Sequence, residues 1–217
     1  MHNNDSPARE VRIGPLALPG LACEPTATGW VAFAHGSGSS RLSPRNQEVA
    51  AMLRARGLGT LLLDLLTESE ALHRSLVFDI ALLATRLGWA LDWLESQGGE
   101  GARPVGLFGA STGGAAALWA AAEQPHRVSA VVSRGGRPDL AAARLAAVHA
   151  PTLLVVGGLD REVLRLNREA LAQLGGERRL EVVPGATHLF EEPGALEAMG
   201  HLAADWFANH LPPPPPP

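Results

Sequence analysis

The chain has 217 residues, 46% of them hydrophobic, and a formal net charge of −4. That length fills one hydrophobic core and is short for two, while the absence of lysine among all 18 basic residues excludes a Schiff-base lysine and a P-loop lysine. Scattered arginines give no basic stripe for nucleic acid, no apolar run reaches the ~18 residues of a membrane span, and the single Cys23 cannot close an internal disulfide.

In chain order, the polar start "MHNNDSPARE" lacks the apolar centre of a secretory signal, so a cytoplasmic, bacterial protein is the expectation. Residues 1–10 read as a flexible N-terminus, 11–210 as one domain and 211–217 as a polyproline tail. "REVRIGPLALPGLACEP" alternates and is broken by Gly14-Pro15 and Pro19-Gly20, which predicts an antiparallel hairpin. "GWVAFAHG" reads as a buried strand. Ser43-Pro44 is a cap and a first-turn proline, followed by Val49, Met52 and Leu53 at helical spacing up to Gly57. "LGTLLLDL" is the next buried strand, and Leu83, Leu87, Leu91 and Leu94 mark an amphipathic helix that stops at Gly98-Gly99. Further strands are expected near 104–108, 128–133, 151–157 and 179–183, with helices near 112–123, 162–174 and 194–209. Continuous apolar strands alternating with helices imply a mostly parallel sheet of about eight strands, covered on both faces.

Ligands of such sheets bind beyond the carboxyl ends of the strands. Those ends fall at His35–Arg41, Asp64–Glu70, Gly109–Gly114, Ser133–Asp139, Gly157–Arg161 and Gly185–Phe190. Gly109-Ala110-Ser111-Thr112-Gly113 is a G-x-S-x-G elbow between a strand and a helix, which exposes a serine hydroxyl where a helix N-terminus favours developing negative charge. A serine needs a base, and the base needs a partner to hold its tautomer. His188 in "GATHLF" is the candidate base, and Asp160 in "GGLD" the candidate acid, with a helix N-cap as its other role. Asp139 is the fallback acid. The Gly-rich "AHGSGSS" loop offers backbone N–H groups, and the candidates for an oxyanion hole are those of Ser37 and Thr112. His35 and Gly36 read as ordering that loop. Arg41, Arg134 and Arg137 lie at the same edge as candidate substrate-binding residues for a carboxylate. No metal-ligand spacing occurs, and neither a metal nor a cofactor is expected.

With "HGSG", "GASTGG", "GGLD" and "GATHLF" in this order, residues 28–210 resemble the α/β-hydrolase superfamily, and within it the small dienelactone-hydrolase-like branch. The resemblance implies an α/β-hydrolase fold with an N-terminal antiparallel hairpin and a Ser-His-Asp triad. Dienelactone hydrolases proper carry cysteine at the elbow, where this chain has Ser111, so ordinary ester hydrolysis through an acyl-enzyme is the expected reaction. A thioesterase or acyltransferase using the same residues, and a catalytically silent ligand-binding module, stand as alternatives. The expected partner is a small-molecule ester, with no nucleic acid or membrane, for a monomer or homodimer. The connection from Ser133 to Pro151 holds one loop and one short helical pattern, Leu140 to Val148, which leaves no room for a cap domain.

Overall fold

A computed structural model describes residues 8–97 and 103–211. The expected N-terminal segment, the Gly98-Gly99 stop and the proline tail lie wholly or largely outside the described residues. The elements follow in the order β1 (Arg9–Ile13), β2 (Leu18–Cys23), β3 (Trp30–Ala34), α1 (Pro44–Ala55), β4 (Gly59–Leu63), α2 (Glu68–Ala71), α3 (Arg74–Val77) and α4 (Ile80–Ser96). They continue as β5 (Val105–Ala110), α5 (Thr112–Glu123), β6 (Ala130–Arg134), a 3-10 segment (Pro138–Ala147), β7 (Thr152–Gly157), α6 (Arg161–Leu171), β8 (Arg178–Val183) and α7 (Ala195–His210).

The eight strands form one sheet in the order β1-β2-β4-β3-β5-β6-β7-β8. The β1–β2 hairpin is antiparallel and joins the sheet through an antiparallel β2–β4 pair. Every other pair is parallel, because each later strand returns through a helix. Strands β3 to β7 are buried along their length, as the uninterrupted apolar runs require when both faces are covered. Leu83, Leu87, Leu91 and Leu94 of α4 pack with Ala115, Leu118 and Ala121 of α5 on one face. Val49 and Leu53 of α1 pack with Met199, Ala203 and Phe207 of α7 on the other.

β3 and β5 occupy the middle of the sheet, where Phe33 and Phe108 sit opposite one another in register with ring centroids 4.8 Å apart. Both rings are fully buried, so each contributes about 2–3 kcal/mol of burial and together they fix the central pair beneath the loops that follow it. The link from β6 to β7 is no cap. Its 3-10 segment turns Ala141 and Leu145 into the core beside α5. The connection from β4 to α4 holds two one-turn helices that the apolar periodicity does not announce, since four residues are too few to show a helical period.

Candidate active site

Ser111 sits at the turn from β5 into α5 with φ 52° and ψ −118°. A non-glycine residue there costs about 1–3 kcal/mol. Three backbone hydrogen bonds hold it: Ser111 N–H donates to Arg134 C=O at 3.1 Å, and Ser111 C=O accepts from Gly114 N–H at 3.0 Å and Arg137 N–H at 3.1 Å. At about 0.5–1.5 kcal/mol each, they offset the strain. The neighbouring small residues have steric reasons. A Cβ on Gly109 would stand 2.3 Å from the Gly113 carbonyl oxygen, and one on Gly113 would stand 2.2 Å from that of Ala34. The sharp turn therefore needs glycine at both positions, where α5 starts close against β5 and against the end of β3.

His188 lies on the loop after β8 and Asp160 at the end of the turn after β7. His188 Nδ1 and Asp160 Oδ2 are 2.6 Å apart, with the carboxylate largely buried. A carboxylate only accepts, so Nδ1 is the protonated nitrogen, and in the neutral imidazole the lone pair is then on Nε2. Asp160 occupies the N-cap position of α6 but makes no side-chain cap bond, which leaves its carboxylate to the histidine. Asp139 is held instead by Arg137 through bonds of 2.9 and 2.7 Å.

The loop after β3 is pinned at both ends. His35 Nδ1–H donates to Gly36 C=O at 2.9 Å while His35 Nε2 accepts from Leu65 N–H at 3.2 Å, so both ring nitrogens are engaged. Burial pushes the His35 pKa below its ordinary value, against smaller opposing effects of the Gly36 carbonyl and the Asp64 charge. The ring is thus a neutral strut. Because the peptide between Gly36 and Ser37 is trans, fixing the Gly36 carbonyl also fixes the direction of Ser37 N–H on its opposite side. At the far end Arg41 binds Asp64 twice, through its backbone N–H at 2.6 Å and its guanidinium at 2.5 Å. Among the described residues neither Ser37 N–H nor Thr112 N–H donates to a backbone carbonyl in a loop or cap bond.

Ser37, Ser111 and His188 line one cleft of about 230 Å³, together with Gly36, Arg45 and Arg134. Across the same loop lies a more apolar pocket of about 320 Å³, lined by Thr112, Leu65, Leu66, Ala71, Val77 and Leu83. The profile of the Dienelactone hydrolase family matches residues 68–207. A crystal structure of dienelactone hydrolase from Anabaena variabilis shares 55% identity over 94% of this chain and 97% of its own, with a TM-score of 0.88. This chain belongs to the dienelactone hydrolase family.

Two Mycobacterium tuberculosis proteins named "Putative phosphoribosyl transferase" are each 54% identical over 95% of this chain. The match takes in only 48% of either, so the chain spans about half the length of these curated relatives, and their name describes much longer proteins. Est1E from Butyrivibrio proteoclasticus shares the fold at 15% identity, with a TM-score of 0.75 over 94% of this chain and 100% of its own.

In this dienelactone hydrolase family member the three sequence-marked arginines have separate fates. Arg41 is spent on Asp64 and Arg137 on Asp139, and neither lines the cleft that holds Ser111. Arg134 does line it. The sequence reading did not mark Arg45 and Asn46, which also face the cleft from the first turn of α1. The available signal was position, since α1 starts directly after the loop that carries Ser37. Asp64, the clamp for Arg41, lies within a marked strand end, but nothing in its local sequence names the partner.

Proposed function

We propose that the chain is a serine hydrolase that cleaves small carboxylic esters through an acyl-enzyme. The observation that carries this reading is the 2.6 Å contact between His188 Nδ1 and Asp160, in a protein whose strained Ser111 faces the same cleft as His188. His188 Nε2 takes the Ser111 proton as Oγ attacks the ester carbonyl, and Asp160 stabilises the imidazolium that forms. Ser37 N–H and Thr112 N–H receive the oxyanion, the latter helped by the N-terminus of α5. The imidazolium then protonates the leaving alcohol. Water, deprotonated by the same nitrogen, attacks the acyl carbon and releases the acid.

The apolar pocket beside Thr112 suits the hydrocarbon part of the substrate. A thioester would be cleaved by the same residues, and the choice between oxygen and sulfur leaving groups rests with a substrate panel. The testing experiment is labelling with a fluorophosphonate probe, which captures only an activated serine. Stoichiometric labelling of the native chain, absent in Ser111→Ala, is the expected result. An unlabelled native chain would mean that Ser111 is a packing residue.

A further inference from the structure

α6 begins after its N-cap, Asp160, and turns Val163, Leu164, Asn167 and Ala170 toward the core. Three of the four are apolar, as the helical period asks of a buried face, while the fourth is an amide with none of its surface exposed. Burying an amide there opposes folding unless its groups are bonded. Asn167 Oδ1 has no hydrogen-bond partner among the described residues, so part of that cost stands. Both protons of Nδ2 are used. One goes to the Val163 carbonyl one turn back at 2.8 Å, and the other leaves the helix for the Gly136 carbonyl at 2.9 Å. An aliphatic side chain would fill the position without the unpaired oxygen, and what only the amide supplies is the bond to Gly136.

Gly136 belongs to the short loop after β6, which borders the site on several sides. Arg134 C=O accepts from Ser111 N–H and Arg137 N–H donates to Ser111 C=O, each at 3.1 Å. Between them Gly135 takes φ 51° and lies against the His188 imidazole, where an added Cβ would stand 3.4 Å from Nδ1 and 3.5 Å from Cε1. A Cβ on Gly136 would run into Ser133 Oγ. Two adjacent glycines give the loop little stiffness of its own, so its shape is imposed from outside. Val155 C=O holds the first glycine through its N–H at 2.7 Å, and Asn167 holds the second. The helix capped by Asp160 thereby grips the loop that backs His188 and brackets Ser111. Resting on the Ser-His-Asp reading, we infer that Asn167 is a positioning residue, which keeps the Asp160–His188 pair in register with Ser111 by fixing Gly136 to α6. It lines neither the cleft at Ser111 nor the apolar pocket, so it acts on the chemical step and not on substrate binding.

The test compares three variants with wild type. Asn167→Leu removes both bonds at similar volume. In Asn167→Thr the hydroxyl still reaches the Val163 carbonyl but is one bond too short for Gly136, so this variant isolates the bond between elements and decides the matter if the leucine variant does not fold. Thr152→Val is the reference for a purely structural loss, since it deletes a buried hydrogen bond from Thr152 Oγ1 to Ala150 C=O, 2.9 Å long, at the opposite end of β7. With sites counted by fluorophosphonate labelling to completion, both Asn167 variants should lose about 10- to 100-fold in kcat for 4-nitrophenyl butyrate while KM stays within about twofold, the scale expected when a reacting group is misplaced. Thr152→Val should keep the wild-type kcat even where its Tm falls as far. Wild-type kcat per labelled site in Asn167→Thr, or an equal loss in Thr152→Val, would overturn the role.

The NMR signal of the His188 Nδ1 proton gives a readout without turnover. It should shift or broaden in Asn167→Thr and stay in place in Thr152→Val, and an unmoved signal in Asn167→Thr would count against positioning as firmly as an unchanged kcat. If wild type neither takes the probe nor cleaves esters while the signal still moves with Asn167, the hydrolase reading falls and the brace between α6 and His188 stands.

Discussion

At Ser111, a strained backbone and three hydrogen bonds hold an atom that contributes almost nothing to the core, so its loss should cost chemistry and not folding. Ser111→Ala should retain the wild-type circular-dichroism spectrum and lose about 10⁴-fold or more in ester turnover. Asp160→Asn should lower kcat by a comparable ~10⁴-fold, because an amide no longer selects the tautomer that leaves His188 Nε2 free. Asp139→Asn, which loosens only Arg137, should be far milder, and the reverse ranking would transfer the acid role to Asp139. His35 predicts a pH effect. Its folded pKa lies below the unfolded value of 6.5, so the unfolded chain binds the proton first. Stability is therefore full above about pH 6.5 and falls as pH drops through the lowered folded value. His35→Gln should flatten that part of a Tm-against-pH curve, and an unchanged slope would mean that another group sets it. That Ser111, Asp160 and His188 each lie just beyond a strand end was legible, because the apolar runs reveal those strands. Which arginine would find a carboxylate was not legible, since pairing is decided across elements that sequence spacing does not relate.

The elements set the size of the substrate. The 3-10 segment after β6 lies against α5 instead of over Ser111, so no connection there encloses a long acyl chain. What borders the apolar pocket is the pair α2 and α3, contributing Ala71 and Val77. Such an open pocket forgoes the ~0.8 kcal/mol per methylene that a tunnel would supply. Turnover of neutral 4-nitrophenyl esters should therefore peak between about C2 and C6 acyl chains, and Val77→Trp should penalise hexanoate more than acetate. A palmitate ester cleaved more efficiently than the butyrate would require a buried tunnel. The strands and long helices were readable to within a few residues, because each buries enough side chains to impose a period. α2 was marked only by its capping box, Thr67 and Glu70, a T-x-x-E signal that ordinary loops also contain.

For the molecule as a whole, the continuous apolar runs made the doubly covered sheet legible, whereas the strand order did not follow from them: β4 comes to lie between β2 and β3. Cys23, 4% exposed at the end of β2 and paired in register with Thr60, reports on opening of that joint. Iodoacetamide should leave activity intact under native conditions and label the thiol only as the protein unfolds in denaturant, whereas rapid labelling with loss of turnover would bring back a thiol mechanism. The central place of β5 also has a consequence in time. β3 gains β4 early, but its other neighbour begins 42 residues after β4 ends, counting from Leu63 to Val105. At roughly 5–20 residues per second of synthesis, one edge of Trp30–Ala34 stands open for about 2–8 s. The strand that closes this edge is the one that delivers Ser111, so the sheet is sealed and the turn at Ser111 seated in a single event. A chain arrested on the ribosome before that event should present a bare, apolar strand and depend on a chaperone to stay apart from its neighbours.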